Sequence, residues 1–205
     1  MKSRASVSAV CLSSAILMLS VSAAHAIPLT FTATLSGANE NPPVASPGTG
    51  QAIVVLDPTA NTLQINVTFS GLTSNTVAAH IHCCIAFPNN TGVATTVPAF
   101  PGFPLGVTSG TYNSVVFDLT QPLIYNPAFV TLQGGLAQAE AALENGIING
   151  MTYLNIHTVN FGGGEIRGQL SPVPLPGALP LFATGLGALG LLSWRRKKKA
   201  PALAA

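Results

Sequence analysis

Away from its two ends, most of the chemistry this chain could perform rests on five residues: His80, His82, Cys83, Cys84 and His157. On an extended strand, residues two apart project from one face, so His80 and His82 point together and Cys84 continues their row. Val77, Ala79, Ile81 and Cys83 fall on the opposite face, which suits a core. His157 belongs to a second alternating segment and faces the same way as Tyr153 and Asn155. Should these two strands be neighbours, three imidazoles converge, a common ligand set for zinc or copper. The other reading of the same histidines is as hydrogen-bonding groups, within or between strands, that fix the sheet.

The cysteines leave several options. Adjacent cysteines on a strand point to opposite faces, and a disulfide ordinarily wants Cα atoms about 5.5 Å apart. A vicinal disulfide in a bulge, a bridge between molecules that makes the protein a self-associating adhesin, Cys84 joining the histidine site, and Cys83 as a buried thiol all fit the sequence. Glu165 and Arg167, two apart on one strand, read as a surface ion pair.

These residues must be positioned by strands. Leu29, Phe31, Ala33 and Leu35 alternate with Thr30, Thr32, Thr34 and Ser36, and Leu63, Ile65, Val67 and Phe69 alternate in the same way. Asp57-Pro58-Thr59-Ala60-Asn61 supplies turn chemistry for a hairpin between Ile53–Leu56 and that second strand. Further strands are expected at Val77–Cys84, Ser114–Leu119, Met151–Thr158 and Glu165–Leu170. One helix is expected from about Pro127 to Glu144, with Asn145-Gly146 as its stop. Pro88–Gly110, rich in Pro and Gly, reads as a surface loop, and Gly162-Gly163-Gly164 as a turn. The pattern predicts an all-β fold, an antiparallel β-sandwich or barrel with one short helix.

The ends read differently. Lys2 and Arg4, the apolar run Val7–Val21, and Ala24-His25-Ala26 as a small-x-small site make residues 1–26 a signal peptide, exported by the Sec machinery and cut by signal peptidase after Ala26. Residues 177–194 carry no charge; as a helix they span about 27 Å, close to a bilayer's hydrocarbon thickness. Trp194 sits where an interfacial aromatic belongs, and the basic cluster 195–199 would stay cytoplasmic. Pro172, Pro174 and Pro176 make the preceding segment a stiff spacer. The expected organisation is a signal peptide over 1–26, one domain over 27–171, and a tail over 172–205 containing a transmembrane helix.

Charge excludes one class of function. Between Ile27 and Ser171 the one basic residue is Arg167, against Glu40, Asp57, Asp118, Glu140, Glu144 and Glu165. A mildly acidic domain lacks the electrostatic footprint of nucleic-acid binding. No glycine loop cradles a phosphate, no serine sits in a nucleophile elbow, and the acidic residues are too scattered for a paired-carboxylate glycosidase.

Three resemblances follow from particular residues. The tail, with its Val173-Pro174-Leu175-Pro176 motif, apolar helix and basic cluster, resembles a PEP-CTERM sorting signal, although Leu175 stands where the namesake motif has Glu. That resemblance implies processing by an exosortase-type membrane enzyme, a cell-surface or extracellular location, and association with an exopolysaccharide matrix. Plain membrane anchoring is the competing reading. Thr32–Val44, Ala79-His80-Ile81-His82, Tyr153–Thr158 and Gly164–Leu170 together resemble the CHRD domain, a secreted module, over nearly all of 27–171. The His-x-His strand, late histidine and Arg-containing last strand are similar to copper–zinc superoxide dismutase. This implies copper ligation by His80, His82 and His157, with Arg167 attracting a small anion. The chain lacks further histidines for a four-histidine copper site or a bridged zinc site, and lacks a spaced cysteine pair. The leading expectation is a non-catalytic extracellular binding or structural module; the alternative is a copper- or zinc-binding protein.

Overall fold

The computed structural model describes residues 27–174 together with 186, 187, 189–191 and 194. The signal peptide and its cleavage site at Ala24 and Ala26 lie outside the described residues, as do Leu175, Pro176 and most of the expected transmembrane segment. Leu186, Gly187, Leu189, Gly190, Leu191 and Trp194 are helical. Among the described residues, no helix is long and apolar enough to cross a membrane.

The elements run β1 (Leu29–Ser36), β2 (Thr49–Asp57), β3 (Thr62–Ser70), β4 (Thr76–Cys83), β5 (Gly110–Asn113), β6 (Phe117–Asp118), α1 (Pro127–Gln133), α2 (Leu136–Ile148), β7 (Thr152–Thr158), β8 (Ile166–Gln169) and β9 (Ser171–Pro172). The strands form one nine-stranded sheet in the order β4-β7-β8-β1-β2-β3-β5, with β6 on β3 and β9 on β1. Every pairing between strands is antiparallel. The all-β antiparallel expectation therefore holds. In place of a two-sheet sandwich or closed barrel, the chain makes a single curled sheet with β4 and β5 at its ends.

The alternating strands do what their period dictates. Phe31, Ala33 and Leu35 of β1, Val54 and Leu56 of β2, and Leu63, Ile65 and Val67 of β3 are all buried, while the threonines at 32 and 34 are exposed. The β2–β3 hairpin closes where the turn residues predict: Asp57 Oδ1 accepts from the amides of Thr59 and Ala60, and Asn61 takes the left-handed conformation at φ 52°.

Two expectations are corrected. The predicted helix is two helices, α1 and α2, because Gly134 and Gly135 adopt φ 91° and 140° and break the ladder between them. The strand predicted at Ser114–Leu119 is displaced to β5 and the short β6. The Ser114 hydroxyl, in place of a backbone group, accepts the Ile65 amide and interrupts the pairing.

The end strand β4 is not left open. Residues 92–100 run along it, with Cys83 donating to Gly92, Ala94 to Ile81, Ala79 to Pro98 and Phe100 to Ala79. From the core side α2 packs on β4 and β7, burying Ala139, Leu143 and Ile147. Both faces of β7 are buried: Leu154 and Ile156 face the core, while Tyr153, Asn155 and His157 lie beneath loops on the other side. That second, polar face is where the chemistry gathers.

A buried three-histidine candidate metal centre

β4 and β7 are neighbours, paired His80 to Asn155, His82 to Tyr153 and Ala78 to His157. All three histidines emerge from the same face and are buried, at 5%, 8% and 7% exposure for His80, His82 and His157. Small Ala78 opposite His157 leaves room for its ring to lean towards His80, and those two ring centroids lie 4.6 Å apart. His80 and His82 are 5.4 Å apart, and His82 and His157 6.0 Å. One nitrogen from each ring lies within 4.8 Å of the others.

The hydrogen bonds decide which nitrogens these are. His82 Nδ1 is 2.8 Å from the Thr91 carbonyl and His157 Nδ1 is 3.0 Å from the Gly162 carbonyl. A carbonyl can only accept, so both Nδ1 atoms carry the proton and both Nε2 atoms carry the lone pair. A bond to the Pro98 carbonyl fixes His80 in the opposite sense, leaving its Nδ1 bare. His80 Nδ1, His82 Nε2 and His157 Nε2 are all buried with no hydrogen-bond partner.

Three acceptor lone pairs thus share one buried space, with no donor between them among the described residues. Burial lowers the pKa of all three imidazoles, to about 3 for His80 and about 4 for His82, and neighbouring rings add to the effect at His80 and His82. Protonation cannot relieve the cluster near neutral pH, whereas a cation would. Backbone carbonyls that hold the far ring nitrogen are the usual outer shell of a metal-binding histidine. The donor set therefore fits zinc or copper. A metal–nitrogen distance of about 2.0–2.1 Å asks the rings to close by roughly an ångström.

The other predicted residues sit as follows. Cys83 and Cys84 form a vicinal disulfide across a cis peptide bond, the first of the options the sequence left open. Both sulfurs face the Ala142 carbonyl of α2, so Cys84 does not join the histidines. Arg167 is 2% exposed, and its guanidinium donates to the carbonyls of Asn39 and Pro88 and to the Asn90 side chain. The guanidinium carbon lies 4.6 Å from the centre of the Tyr153 ring. Tyr153 in turn stacks on His82 at 4.6 Å and 8°. Arg167 thus clamps two loops, with each of its three nitrogens donating to a protein acceptor.

The expected Glu165–Arg167 surface pair is corrected: Arg167 faces Glu40 at 4.0 Å, and both are buried. Glu165, fully buried, accepts from Ser46, Thr158 and the Thr73 amide. Burial would raise its pKa, but these donors outweigh it and hold the carboxyl below the usual range.

Sequence reasoning missed Glu40. Its carboxyl is pushed up to about 7 by burial, against the opposing pull of Arg167 and a hydrogen bond from Asn155. The available signal was its polar setting, Asn39-Glu40-Asn41-Pro42, ahead of a glycine-rich turn that closes over it.

A family model for the CHRD domain matches residues 31–170. No curated protein and no solved structure matches the chain, so the likeness to superoxide dismutase rests on the sequence pattern of histidines and Arg167 alone. With most of the sequence inside that match, this chain belongs to the CHRD domain family.

Proposed function

We propose that this chain is an exported, extracellular binding module that holds one transition-metal ion, copper or zinc, through His80 Nδ1, His82 Nε2 and His157 Nε2. The observation that carries the reading is the convergence of three unpartnered, buried nitrogens whose tautomers are set by carbonyls. Such an ion would supply one-electron redox chemistry if copper, or Lewis acidity if zinc. The chain's own part is to bind and orient: Thr91, Gly162 and Pro98 hold the rings, Tyr153 stacks on His82, and the surrounding loops exclude water. Among the described residues no nucleophile or paired carboxylate accompanies the histidines, which favours binding over catalysis.

The test is metal content. The mature chain is exported to a periplasm, purified without a histidine tag or chelator, and analysed by elemental mass spectrometry. About one copper or zinc per chain is expected, absent from a His80→Ala/His82→Ala variant. A folded protein that neither retains nor takes up either metal would leave the histidines as sheet-fixing groups.

The ends carry a second part of the reading. Signal peptidase cuts after Ala26, and an exosortase-type enzyme recognises Val173–Pro176 after the 177–194 helix has anchored the chain. The domain is then delivered to the surface or an exopolysaccharide matrix. Support comes from the order of the segments in the sequence. Mass spectrometry should find a mature C-terminus near Pro176. A surface protein intact through Ala205 would instead mean plain anchoring.

A further inference from the structure

Beside the histidines, but not lined by them, lies a pocket of about 390 Å³ between the loop that follows β1 and the turn that joins β7 to β8. Its walls include Glu40, Asn41, Pro42, Asn160, Phe161 and the glycine turn 162–164. We propose that this pocket binds a neutral saccharide, whose hydroxyls meet Glu40 and the asparagine amides and whose C–H face rests on Phe161.

Four observations point there. Glu40 is 7% exposed, yet its Oε1 has no hydrogen-bond partner. A buried carboxyl oxygen without a partner is costly, so a donor is wanted at that place. Next, the side-chain amides of Asn41 and Asn160 carry no hydrogen bond within the described residues, so each offers a free donor and acceptor at the rim. Then there is the turn itself. A Cβ on Gly164 would stand 2.8 Å from Glu40 Oε1 and 2.4 Å from Asn155 Nδ2, so a side chain there would obstruct the carboxyl. Gly162 and Gly163 have open space where a Cβ would be.

The fourth observation is charge. No cationic side chain lines the pocket, and the Nε, Nη1 and Nη2 atoms of nearby Arg167 are each engaged, by Asn39, Asn90 and Pro88, which argues against an anion. Glu40 is already balanced by Arg167, which argues against a cation. An uncharged ligand rich in hydroxyls, with one apolar face for Phe161 and Pro42, fits what remains. The volume falls within the usual range for small-molecule sites. The proposal stands apart from metal binding and is tested on metal-loaded and metal-stripped protein alike.

The experiment is saturation-transfer NMR on the purified mature chain with D-glucose, D-galactose and N-acetyl-D-glucosamine, with D-galacturonate as the charged comparison. At least one neutral sugar should show saturable transfer, strongest at its ring C–H protons, with a dissociation constant on the order of 1 mM. Asn160→Ala and Phe161→Ala, at positions outside the core, should each weaken binding by about tenfold while leaving the circular dichroism spectrum unchanged. Glu40→Gln should weaken it as well, with the side-chain shape kept. Transfer to none of the three neutral sugars, a preference for galacturonate, or binding indifferent to both alanine variants would each overturn the proposal.

Discussion

His80 and His157 stand with ring centroids 4.6 Å apart although neither is the other's register partner: His80 pairs with Asn155 and His157 with Ala78. The contact is diagonal across two strands, and it depends on the small side chain at 78. It also opposes two bare nitrogens, His80 Nδ1 and His157 Nε2, in a site with no internal donor. Metal should therefore act on the fold as well as on the site. Since an ion binding only the folded state stabilises it by about 2.7 kcal/mol at a hundredfold excess over Kd, adding copper or zinc to stripped protein should raise the melting temperature by several degrees. His157→Ala should abolish that rise. A melting temperature indifferent to both metals would count against the site.

The pH dependence of the metal-free fold follows from the same burial. His80, His82 and His157 have folded pKa values below the ordinary 6.5, at about 3 and about 4 for the first two. The unfolded chain therefore binds more protons than the folded one below about pH 6.5, and stability falls as pH drops from there towards 4. Glu40 works the other way. Its folded pKa is raised from 4.5 to about 7, so between those values the folded state holds the extra proton and stability falls as pH rises. Glu144, whose carboxyl burial and Glu140 also push up, acts in the same direction as Glu40, but the three histidines outweigh the two glutamates. Urea midpoints of metal-stripped protein should thus rise from pH 4.5 to 6.5, and the rise should steepen in Glu40→Gln. A flat or falling profile would mean that the imidazoles are not buried as neutral rings.

How much of this was legible in the sequence depends on how far each interaction reaches. β1, β3 and the His80–His82 face could be read because strand alternation is local and each apolar residue reports its own side. The turn at Asp57–Asn61 was equally local. The helix break was missed because the spacing of Phe129, Leu132, Leu136 and Leu143 continues across Gly134-Gly135, whose positive φ values show only in the folded backbone. The groups that fix the histidine tautomers are the carbonyls of Thr91, Gly162 and Pro98, and backbone atoms leave no mark in residue type. Glu40 pairs with a residue 127 positions away, and nothing local distinguishes it from Glu165 as the partner of Arg167.

The disulfide and α2 make a steric prediction. A Cβ on Gly146 would lie 2.5 Å from Cys83 Sγ, closer than real contacts allow, and a tight 3.1 Å from Cys84 Sγ. Ala in place of Gly would ordinarily gain about 1 kcal/mol inside a helix. Here the clash falls on a rigid pair that cannot rotate away, so overpacking should win and Gly146→Ala should cost about 1–3 kcal/mol in urea unfolding. A stabilised variant would mean that α2 sits further from β4.

Arg167 offers the sharpest separation between a clamp and an anion-attracting group. Its donors hold the carbonyls of Asn39 and Pro88 and the side chain of Asn90, tying together the loops after β1 and β4. Breaking a buried pair by removing one partner typically costs about 3–5 kcal/mol, largely because the other charge is left alone. Arg167→Met should therefore destabilise by about that much, and Glu40→Gln in the same chain should return part of the loss by removing the stranded carboxylate. The double variant should be less destabilised than the sum of the singles by more than about 0.5 kcal/mol, the margin within which independent sites add. Additive singles would show that Glu40 and Arg167 do not depend on each other. Unchanged stability in Arg167→Met would free the guanidinium from its structural role and return it to the histidine site.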